Sequence, residues 1–561
     1  MTLREPVTDR LRIALAQLNP TVGAISVNFE MAFLAFEKAK KADADILMFP
    51  ELFLSGYFPD DLLFKPQFVA DCIDGAKELA LATKDYDFAL LLPSIWQKKG
   101  KLYNAIIHAQ NGEILDIRFK HELPNTDVFY EKRYFKAGKL PKPVTIKGIK
   151  IGLPICEDIW HEPVCKALVK KGAEILLCPN GSPYWKNKHY QRRELVRSRV
   201  KETGLPLLYL NQVGGQDELV FDGASFGYNA KGELAFEGES FKEDFIVTDW
   251  HKGEGGWHFD KGRNVDLVSI DEAPWRACVL GLRDYLRKNH FTKVVLGLSG
   301  GIDSALVAAI AVDAIGADNV HTIMMPYRYT SKESLKDAKQ CADNLGVKYD
   351  IIPIGSPVEK ALDELEPIFI GLAPDVSEEN IQSRMRGLIL MAVSNKLGSM
   401  LLTTGNKSEL AVGYATIYGD MNGGFNPIKD LTKMQVYHFA NWRNKNMPDD
   451  CFGKAGMVIP TSIITKAPSA ELAEGQVDQD SLPPYEVLDA ILEALVEKEM
   501  SVKQIVELGF DLALVKRIEK MLYIAEYKRR QSAIGVKLTE KSFGMGRKYP
   551  ITNGYRDESI K

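Results

Sequence analysis

Residues 294–306, VVLGLSGGIDSAL, constrain the fold of this chain more than any other stretch. An apolar run leads into a glycine-rich turn, then Asp303 and Ser304, then an apolar run typical of a helix. The pattern therefore predicts a strand, a tight turn and a helix N-terminus. Unpaired backbone N–H groups and the helix dipole attract phosphate at such a place, and glycine lets the backbone approach closely. Asp303 is a candidate ligand for a magnesium ion on that phosphate.

An ordinary strand–helix connection with a Ser or Asp cap would explain part of this pattern. The complete string SGGIDS, however, resembles the pyrophosphate-binding signature of the ATP pyrophosphatase superfamily, whose members adenylate a carboxyl or carbonyl oxygen. The resemblance implies that one segment binds ATP, namely Gly297, Leu298, Ser299, Gly300, Gly301, Ile302, Asp303 and Ser304. It says little about the second substrate, because several amide-forming enzymes share the signature.

Length, charge and cysteine content indicate how many domains to expect, which partners are not indicated and in which compartment the protein works. A chain of 561 residues is too long for one core, so we expect two large domains. The net charge of −4 does not point to nucleic acid or an anionic membrane as a partner. There is no 18-residue apolar run or N-terminal apolar leader, and the seven cysteines are scattered without a CxxC pair. We therefore expect a cytoplasmic protein in a reducing compartment.

The first half alternates short apolar strands with helical patterns, as in residues 12–18 and 28–41. This alternation predicts a layered α/β domain with both sheet faces covered. Residues 251–265 are rich in glycine and charge and lack a period, so they are the best candidate linker. We place the domains at residues 1–262 and 263–561.

Three reactive residues, Glu51, Lys120 and Cys156, follow strand-like runs. Strand ends that meet at one edge of a sheet are where α/β domains build sites. Taken singly, each has an ordinary explanation. Glu51 could cap the next segment, Lys120 could be a solvated strand end, and Cys156 could be a small buried hydrophobic residue.

Together, the contexts FPELFLSGY, KHELPN and ICEDIW resemble the three catalytic motifs of the nitrilase superfamily, in the family's chain order. The resemblance implies an αββα sandwich that hydrolyses carbon–nitrogen bonds. Cys156 would be the nucleophile, Glu51 its base and Lys120 the stabiliser of the oxyanion. Glu131, in VFYEKRYF, matches an accessory glutamate of that family, although a surface ion pair with a neighbouring base is the alternative.

Glutamine-specific relatives commonly read LPNY where this chain reads LPNT. Thr126 therefore stands where those relatives have a tyrosine that contributes to glutamine binding. By the same resemblance Ser182 and Lys188, in NGSPYWKNK, hold the glutamine.

In the second half strands and helices alternate as in a doubly wound parallel sheet, the Rossmann-like layout that binds nucleotides at strand ends. Two motifs add detail: ENIQSRMRG and TTGNKSELAVGYATIYGDMNGGFNPIKDLTK. Arg384 and Arg386 are two apart, so on a helix one faces a ligand while the other faces solvent. Glu409, with Asp303, could complete a magnesium site. Alone, either motif could be a polar helix face or a glycine-rich loop.

Combined with SGGIDS and the amidase half, these motifs resemble the glutamine-dependent NAD synthetase family across nearly the whole chain. That resemblance implies adenylation of deamido-NAD by ATP with Mg²⁺, followed by displacement of AMP by ammonia from glutamine. Thr404 and Lys433 would contact ATP, whereas Asn380, Arg384, Glu409 and Lys528 would lie by deamido-NAD or the metal. For Lys528, in YKRRQ, a solvated charge cluster is the alternative.

Three further expectations follow from the same patterns. Residues 460–485 are polar and aperiodic, and we interpret them as a mobile loop over the site. Because relatives assemble into homo-oligomers, the resemblance implies that this chain does so too. Free ammonia is mostly protonated and unreactive in neutral water, so we also expect a channel that carries it between the two sites. Two other functions stay open: an amidotransferase for another acid, and an inert amidase half that serves as an assembly scaffold.

Overall fold

The computed structural model describes residues 9–260 and 262–560. They separate into two compact units. The first runs to Gln216 and includes Val220–Ser269, and the second includes Asp217–Leu219 and resumes at Ile270. Within the described residues, no helix is long and apolar enough to cross a membrane.

In the N-terminal half, the described residues form fifteen strands and five helices. In chain order they are β1 (Arg10–Gln17), α1 (Ile25–Lys41), β2 (Ile46–Met48), α2 (Pro66–Ala82), β3 (Ala89–Lys98), β4 (Lys101–Gln110), β5 (Glu113–Phe119), α3 (Glu131–Tyr134), β6 (Val144–Ile146), β7 (Ile149–Gly152), α4 (Glu162–Lys170), β8 (Ile175–Asn180), α5 (Lys188–Thr203), β9 (Leu207–Asn211), β10 (Val213–Gln216), β11 (Leu219–Asp222), β12 (Phe226–Tyr228), β13 (Leu234–Glu237), β14 (Asp244–Gly253) and β15 (Gly256–Phe259).

Two large sheets form the centre of the first unit. One has the order β15-β14-β1-β2-β3-β4-β5, and the other the order β13-β12-β9-β8-β7-β6. Side chains alternate along β1, so Ile13 and Leu15 face one core while Ala14 and Ala16 face another. The first of these cores also contains Ile151 of β7 and other residues of the second sheet, so the two sheets pack face to face.

Helices cover the outer faces of both sheets. Phe36 of α1 and Leu79 of α2 share a core with the outward side chains of β1 to β3. Val164 of α4 and Val196 of α5 pack on β8 and β9 in the same way. The order of layers is therefore helix, sheet, sheet, helix, and the expected αββα sandwich is confirmed.

The interpretation of residues 251–265 as an irregular linker is wrong for its first half. β14 and β15 form an antiparallel hairpin at the edge of the seven-stranded sheet, with Trp250 opposite Phe259 and Gly253 opposite Gly256. Gly255 and Gly256 have φ angles of 87° and 115°, which only glycine adopts easily. The glycines that suggested a linker instead form a tight turn.

The second unit contains the remaining elements. They are α6 (Glu272–Lys288), β16 (Val294–Gly297), α7 (Ile302–Ile315), β17 (Val320–Met324), α8 (Lys332–Leu345), β18 (Lys348–Ile351), α9 (Gly355–Phe369), α10 (Val376–Leu397), β19 (Met400–Leu401), α11 (Lys407–Val412), α12 (Lys433–Arg443), α13 (Thr461–Thr465), α14 (Tyr485–Leu492), α15 (Val502–Glu507), α16 (Leu512–Ile524) and α17 (Glu526–Arg529).

The sheet of this unit has four strands in the order β18-β17-β16-β19, and all are parallel. α7 is the central helix: nearly all its residues are buried, and it packs against β16, β17 and the neighbouring helices. On the other face, Val295 and Ile323 contact a cluster that includes Val358 of α9 and Leu390 of α10. Helices thus cover both faces, and the doubly wound parallel-sheet prediction is confirmed.

Candidate active sites

The trio predicted in the first unit comes from three strand ends. Glu51 follows β2, Lys120 follows β5, and Cys156 opens a short 3₁₀ turn after β7. All three are buried. Glu131 is the first residue of α3, which begins only eleven positions after Lys120.

The ammonium of Lys120 lies between two carboxylates. Its Nζ donates to Glu51 Oε1 and to Glu131 Oε1, each at 2.7 Å. Burial disfavours the ammonium, but the charges of Glu131 and Glu51 outweigh it and raise the pKa of Lys120 well above its usual value. Burial raises the pKa of Glu131 to about 7, against the effect of Lys120.

Three further contacts fix the two carboxylates. Asn104 Nδ2 donates to Glu51 Oε1 at 2.8 Å, and the backbone N–H of Gly181 donates to Glu51 Oε2 at 3.0 Å. The hydroxyl of Tyr57 donates to Glu131 Oε1 at 3.2 Å. Each oxygen of Glu51 therefore accepts at least one hydrogen bond from a buried donor.

Cys156 stands in a conformation that side chains seldom adopt. Its φ is 44°, in the left-handed region, and the residue is only 5% exposed. Asp158 ties its turn to the segment after Lys120: it accepts from the N–H of Glu122 at 2.8 Å and of Ile155 at 3.0 Å. Burial and then the charge of Glu51 raise the pKa of the thiol, while Lys120 lowers it. The thiol is thus protonated until a base accepts its proton.

Of the three predicted glutamine-binding residues, two are buried. Ser182 is 4% exposed and accepts from Arg192 Nε at 3.0 Å. Lys188 begins α5, and its Nζ lies 3.7 Å and 4.3 Å from the ring centroids of Trp185 and Trp160. Thr126 is exposed, in a turn where the N–H of Phe129 donates to its carbonyl oxygen.

Lys188 is electrostatically unusual. Burial, and next the charge of Arg192, lower its pKa to about 7. The faces of the two tryptophans favour the ammonium, in the opposite direction. The charge of Cys156 acts on Lys188 in the opposite direction and favours its ammonium form.

The predicted phosphate-binding segment forms the start of α7. Gly297 ends β16, Gly301 precedes the helix, and Ser299 donates from its backbone N–H to Ser304 Oγ at 3.2 Å. Gly300 has a φ of 81°, and a Cβ there would lie 2.4 Å from the carbonyl oxygen of Ser334 in α8. Only glycine therefore fits this turn. The expected strand, turn and helix are all present.

Asp303 and Glu409, the two predicted metal ligands, converge on one point. Lys433 Nζ lies 2.6 Å from Asp303 Oδ2 and 3.0 Å from Glu409 Oε1. Asn406 Nδ2 donates to the other oxygen of Asp303 at 2.8 Å. Burial, and then the charge of Asp303, raise the pKa of Glu409 to about 7, against the effect of Lys433.

This pair fits a magnesium ion that takes its other ligands from phosphate. Two carboxylate oxygens already share one cation, the ammonium of Lys433. Among the residues described by the structure, no group of three or more His, Cys, Asp or Glu side chains is arranged to hold a metal by itself. Mg²⁺ commonly binds through one or two carboxylates together with substrate phosphates and water.

Two cavities meet at the phosphate-binding segment. One, of about 210 Å³, is lined by residues including Gly300, Asp303, Thr404, Glu409 and Lys433. The other, of about 240 Å³, is lined by residues including Gly297, Leu298, Met325, Arg386 and Leu390. Ser299, Ser304 and Thr404 line both cavities, which together offer room for a phosphate chain and a base.

The residues predicted for deamido-NAD form a neighbouring cluster around residues 413–420. Asn380 accepts from Thr416 Oγ1 at 2.8 Å, and Arg384 Nε donates to the carbonyl oxygen of Ile417 at 3.2 Å. Lys528 Nζ donates to the carbonyl oxygens of residues 413 and 415. Burial, together with the charge of Arg384, lowers the pKa of Lys528. Arg384 is exposed. Arg386 lines the second cavity, and burial lowers its pKa to about 10.

Sequence reasoning missed residues whose partners lie far away in the chain. Glu471 lies in the aperiodic stretch after α13 and lines both cavities. Its carboxylate accepts from Ser331 Oγ and Ser334 Oγ at 2.8 Å, and from Lys466 Nζ at 2.9 Å. Asn104 lies in the largely apolar strand β4, and its polar side chain in that setting was the one sign in the sequence that it could have a role in the site.

Comparisons with known proteins agree with this geometry. Family models for carbon-nitrogen hydrolase and NAD synthase match residues 12–254 and 274–532. The glutamine-dependent NAD(+) synthetase of Rhodobacter capsulatus is 52% identical over 553 residues, covering 99% of this chain and 100% of the relative. The enzyme of that name from Thermotoga maritima is 41% identical, covering 98% and 99%.

Solved structures give the same result. The glutamine-dependent NAD+ synthetase from Acinetobacter baumannii, in complex with adenosine diphosphate, is 39% identical, covers 98% of this chain and 99% of its own, and has a TM-score of 0.77. The corresponding protein from Cytophaga hutchinsonii, at 23% identity and a TM-score of 0.81, shares the fold. This chain therefore belongs to the glutamine-dependent NAD(+) synthetases, which join a carbon-nitrogen hydrolase unit and an NAD synthase unit in one polypeptide.

Proposed function

We infer that this protein catalyses the final step of NAD(+) biosynthesis, converting deamido-NAD, ATP and glutamine into NAD(+), AMP, pyrophosphate and glutamate. The observation that carries this inference is that one chain brings together two clusters of the predicted site residues. The first has the buried Glu51, Lys120 and Cys156 set, and the second has a glycine-lined phosphate cradle with Asp303.

In the first unit, Glu51 takes the proton of the Cys156 thiol, and the sulfur attacks the side-chain carboxamide carbon of glutamine. Lys120 stabilises the oxyanion that develops. The carbon–nitrogen bond then breaks, the proton held by Glu51 goes to the leaving nitrogen, and ammonia departs. Glu51 next activates water, which hydrolyses the thioester and releases glutamate.

Ser182 and Lys188 hold the amino-acid end of glutamine in this proposal. Both are buried, and the charge of Cys156 acts on Lys188. Thr126 is exposed and stands where relatives have a tyrosine that contributes to glutamine binding, and its own contact with glutamine stays a prediction. Glu131 acts on the reaction through Lys120, which it holds.

In the second unit, the N-terminus of α7 holds the phosphates of ATP, with Thr404 and Lys433 beside them. An oxygen of the nicotinate carboxylate attacks the α-phosphorus, and the bond to the β-phosphate breaks with loss of pyrophosphate. Ammonia then attacks the acyl carbon and AMP leaves. Asn380, Arg384 and Lys528 orient deamido-NAD. Asp303 and Glu409 would hold Mg²⁺, which when bound neutralises charge on the phosphates.

A reducing cytoplasm and self-association complete the proposal. All seven cysteines, which lie in the described residues, are free thiols, as expected in such a compartment. Ile368, Ile370 and Leu372 are 72%, 78% and 70% exposed, an apolar surface typical of association. Sedimentation of the purified chain measures its oligomeric state.

Product analysis with matched variants tests the activity. With Cys156→Ala, we expect glutamine-driven synthesis of NAD(+) to disappear while synthesis from added ammonia remains. With Asp303→Ala, we expect synthesis to fall with both nitrogen sources, by about 100-fold or more, because the phosphates lose a charged partner. If Cys156→Ala stopped ammonia-driven synthesis in a folded protein, the assignment of separate sites would fail.

A further inference from the structure

Asn104 is a buried side chain that contacts the predicted base directly. It lies on β4, is 1% exposed, and donates from Nδ2 to Glu51 Oε1 at 2.8 Å. The same oxygen accepts from Lys120 Nζ at 2.7 Å, while Glu51 Oε2 accepts from the N–H of Gly181. Of these donors, Asn104 is the one neutral side chain.

The backbone of Asn104 also positions Lys120. The N–H of Lys120 donates to the carbonyl oxygen of Asn104 at 2.9 Å. This bond extends the antiparallel ladder of β4 and β5, in which Ala105 pairs with Phe119. One residue therefore fixes both the side chain of the base and the start of the segment that carries the lysine.

Packing alone does not explain an asparagine at this position. Ala105, Ile106 and Ile107, which follow it on β4, are fully buried apolar residues. The Oδ1 atom of Asn104 is buried and has no hydrogen-bond partner among the described residues. Burying an unsatisfied polar atom is unfavourable, and an aliphatic side chain would avoid it. The benefit of the amide is therefore its donation to Glu51.

We propose that Asn104 is a positioning residue of the glutaminase reaction, which holds Glu51 in the orientation needed to take the proton of the Cys156 thiol. The inference rests on the proposed function of the first unit. A donor to a carboxylate stabilises its charged form, and a fixed rotamer keeps the base aimed at the thiol. Asn104 itself neither gives nor takes a proton.

Other charged and titratable groups face the same carboxylate. They come from the segment after β2, from the end of β5, from α3 and from the turn after β7: Tyr57, Lys120, Glu131 and Cys156. All of them are present in both Asn104 variants and in the wild type. A change in the pH profile of an Asn104 variant therefore reports the loss of the amide.

The test compares Asn104→Ala and Asn104→Asp with the wild type. Ser94→Ala is the matched control, because Ser94 is fully buried on the adjacent strand β3 and is not part of the trio. Glutamine hydrolysis is measured from pH 5 to pH 9, roughly the range in which a catalytic carboxylate titrates. The rate of Cys156 alkylation by iodoacetamide is measured over the same range, with Cys156→Ala as the blank. Thermal melting and far-UV circular dichroism of each purified variant report whether its first unit is folded.

For Asn104→Ala we expect kcat/KM for glutamine about tenfold or more below wild type, with the acidic limb of its profile moved up by about 1 pH unit. Asn104→Asp places a second carboxylate beside Glu51, so the limb should move further in the same direction. The alkylation profile should move with it. Ser94→Ala should match the wild type throughout.

Either of two results would overturn the proposal: a wild-type profile in both Asn104 variants, or a uniform loss of rate with the acidic limb and the alkylation profile unmoved. The second would mean a purely structural role. A wild type without glutaminase activity would instead contradict the proposed function itself, so the two failures are distinguishable.

Discussion

At the scale of single residues, two buried lysines of the first unit have opposite electrostatic surroundings. Lys120 is bound by two carboxylates, and its pKa is raised. Lys188 lies between tryptophan faces near Arg192, and its pKa is lowered to about 7. The first lysine is thus a permanent cation for the oxyanion, and the second changes its charge near neutrality.

The lowered pKa of Lys188 predicts how stability varies with pH. Between about pH 7 and its ordinary pKa near 10.5, the unfolded chain binds a proton that the folded chain does not. Stability should therefore rise with pH across this window. In Lys188→Met the rise in the free energy of unfolding with pH should be about 2–3 kcal/mol smaller than in the wild type. This value is below what the whole pKa shift of Lys188 would give, because the tryptophans favour the ammonium.

Urea unfolding at pH 7 and at pH 9.5, followed by tryptophan fluorescence, measures this difference. Lys166→Met is the control, because Lys166 is an exposed partner of Glu162 in a surface ion pair. An equal pH dependence in wild type and Lys188→Met would contradict the lowered pKa.

The sequence indicated the candidate residues of both sites, but not the partners that hold them. Glu51, Lys120 and Cys156 each follow an apolar run and stand in a recognisable local motif. Asn104 is one polar letter in LYNAIIHA, and its role depends on a carboxylate 53 positions away. Glu471 lies in an aperiodic stretch, so its contacts with Ser331 and Ser334 depend on tertiary packing that no local pattern encodes.

At the scale of elements, Gly300, in the turn before α7, lies directly against α8. A Cβ at Gly300 would lie 2.4 Å from the carbonyl oxygen of Ser334, and the φ of 81° adds strain. Gly300→Ala should therefore push the phosphate-binding turn away from α8. We expect a destabilisation of about 2 kcal/mol and a KM for ATP at least about tenfold higher.

Gly355→Ala is the matched control. Gly355 begins α9, and a Cβ there would have no heavy atom within 4 Å among the described residues. Steady-state kinetics and thermal melting of the two variants provide the comparison. Equal KM values for ATP in the two variants would show that Gly300 is not needed for phosphate binding.

Elements with a clean hydrophobic period were predicted well, and interrupted ones were not. α1 appears close to its expected position, residues 28–41, because its apolar residues recur at helical spacing. α9 was not predicted: Pro357 and Pro367 lie within Gly355–Phe369, although proline is tolerated in the first turn of a helix. Residues 460–485 are largely irregular as expected, but they include the short helix α13, and their mobility stays a prediction.

At the scale of the whole molecule, the two compact units have separate hydrophobic cores. Large proteins of this kind seldom unfold in one step. We expect two calorimetric transitions, and ATP with magnesium at about 100 times Kd should stabilise the synthetase unit alone by about 2.7 kcal/mol.

Differential scanning calorimetry of wild type and Asp303→Ala provides the measurement. The ligand-dependent transition should respond in the wild type and not in the variant, while the other transition stays constant in both. A single transition that moves as a whole with ATP would show that the two units unfold together.

The depth at which the sulfur of Cys156 lies has a consequence for how long the enzyme survives. A thiol that keeps its proton and is shielded from solvent reacts slowly with peroxides and other electrophiles, since these attack the thiolate. The nucleophile is thereby less exposed to oxidative damage between turnovers, and it reacts fastest with an amide that is held against the base.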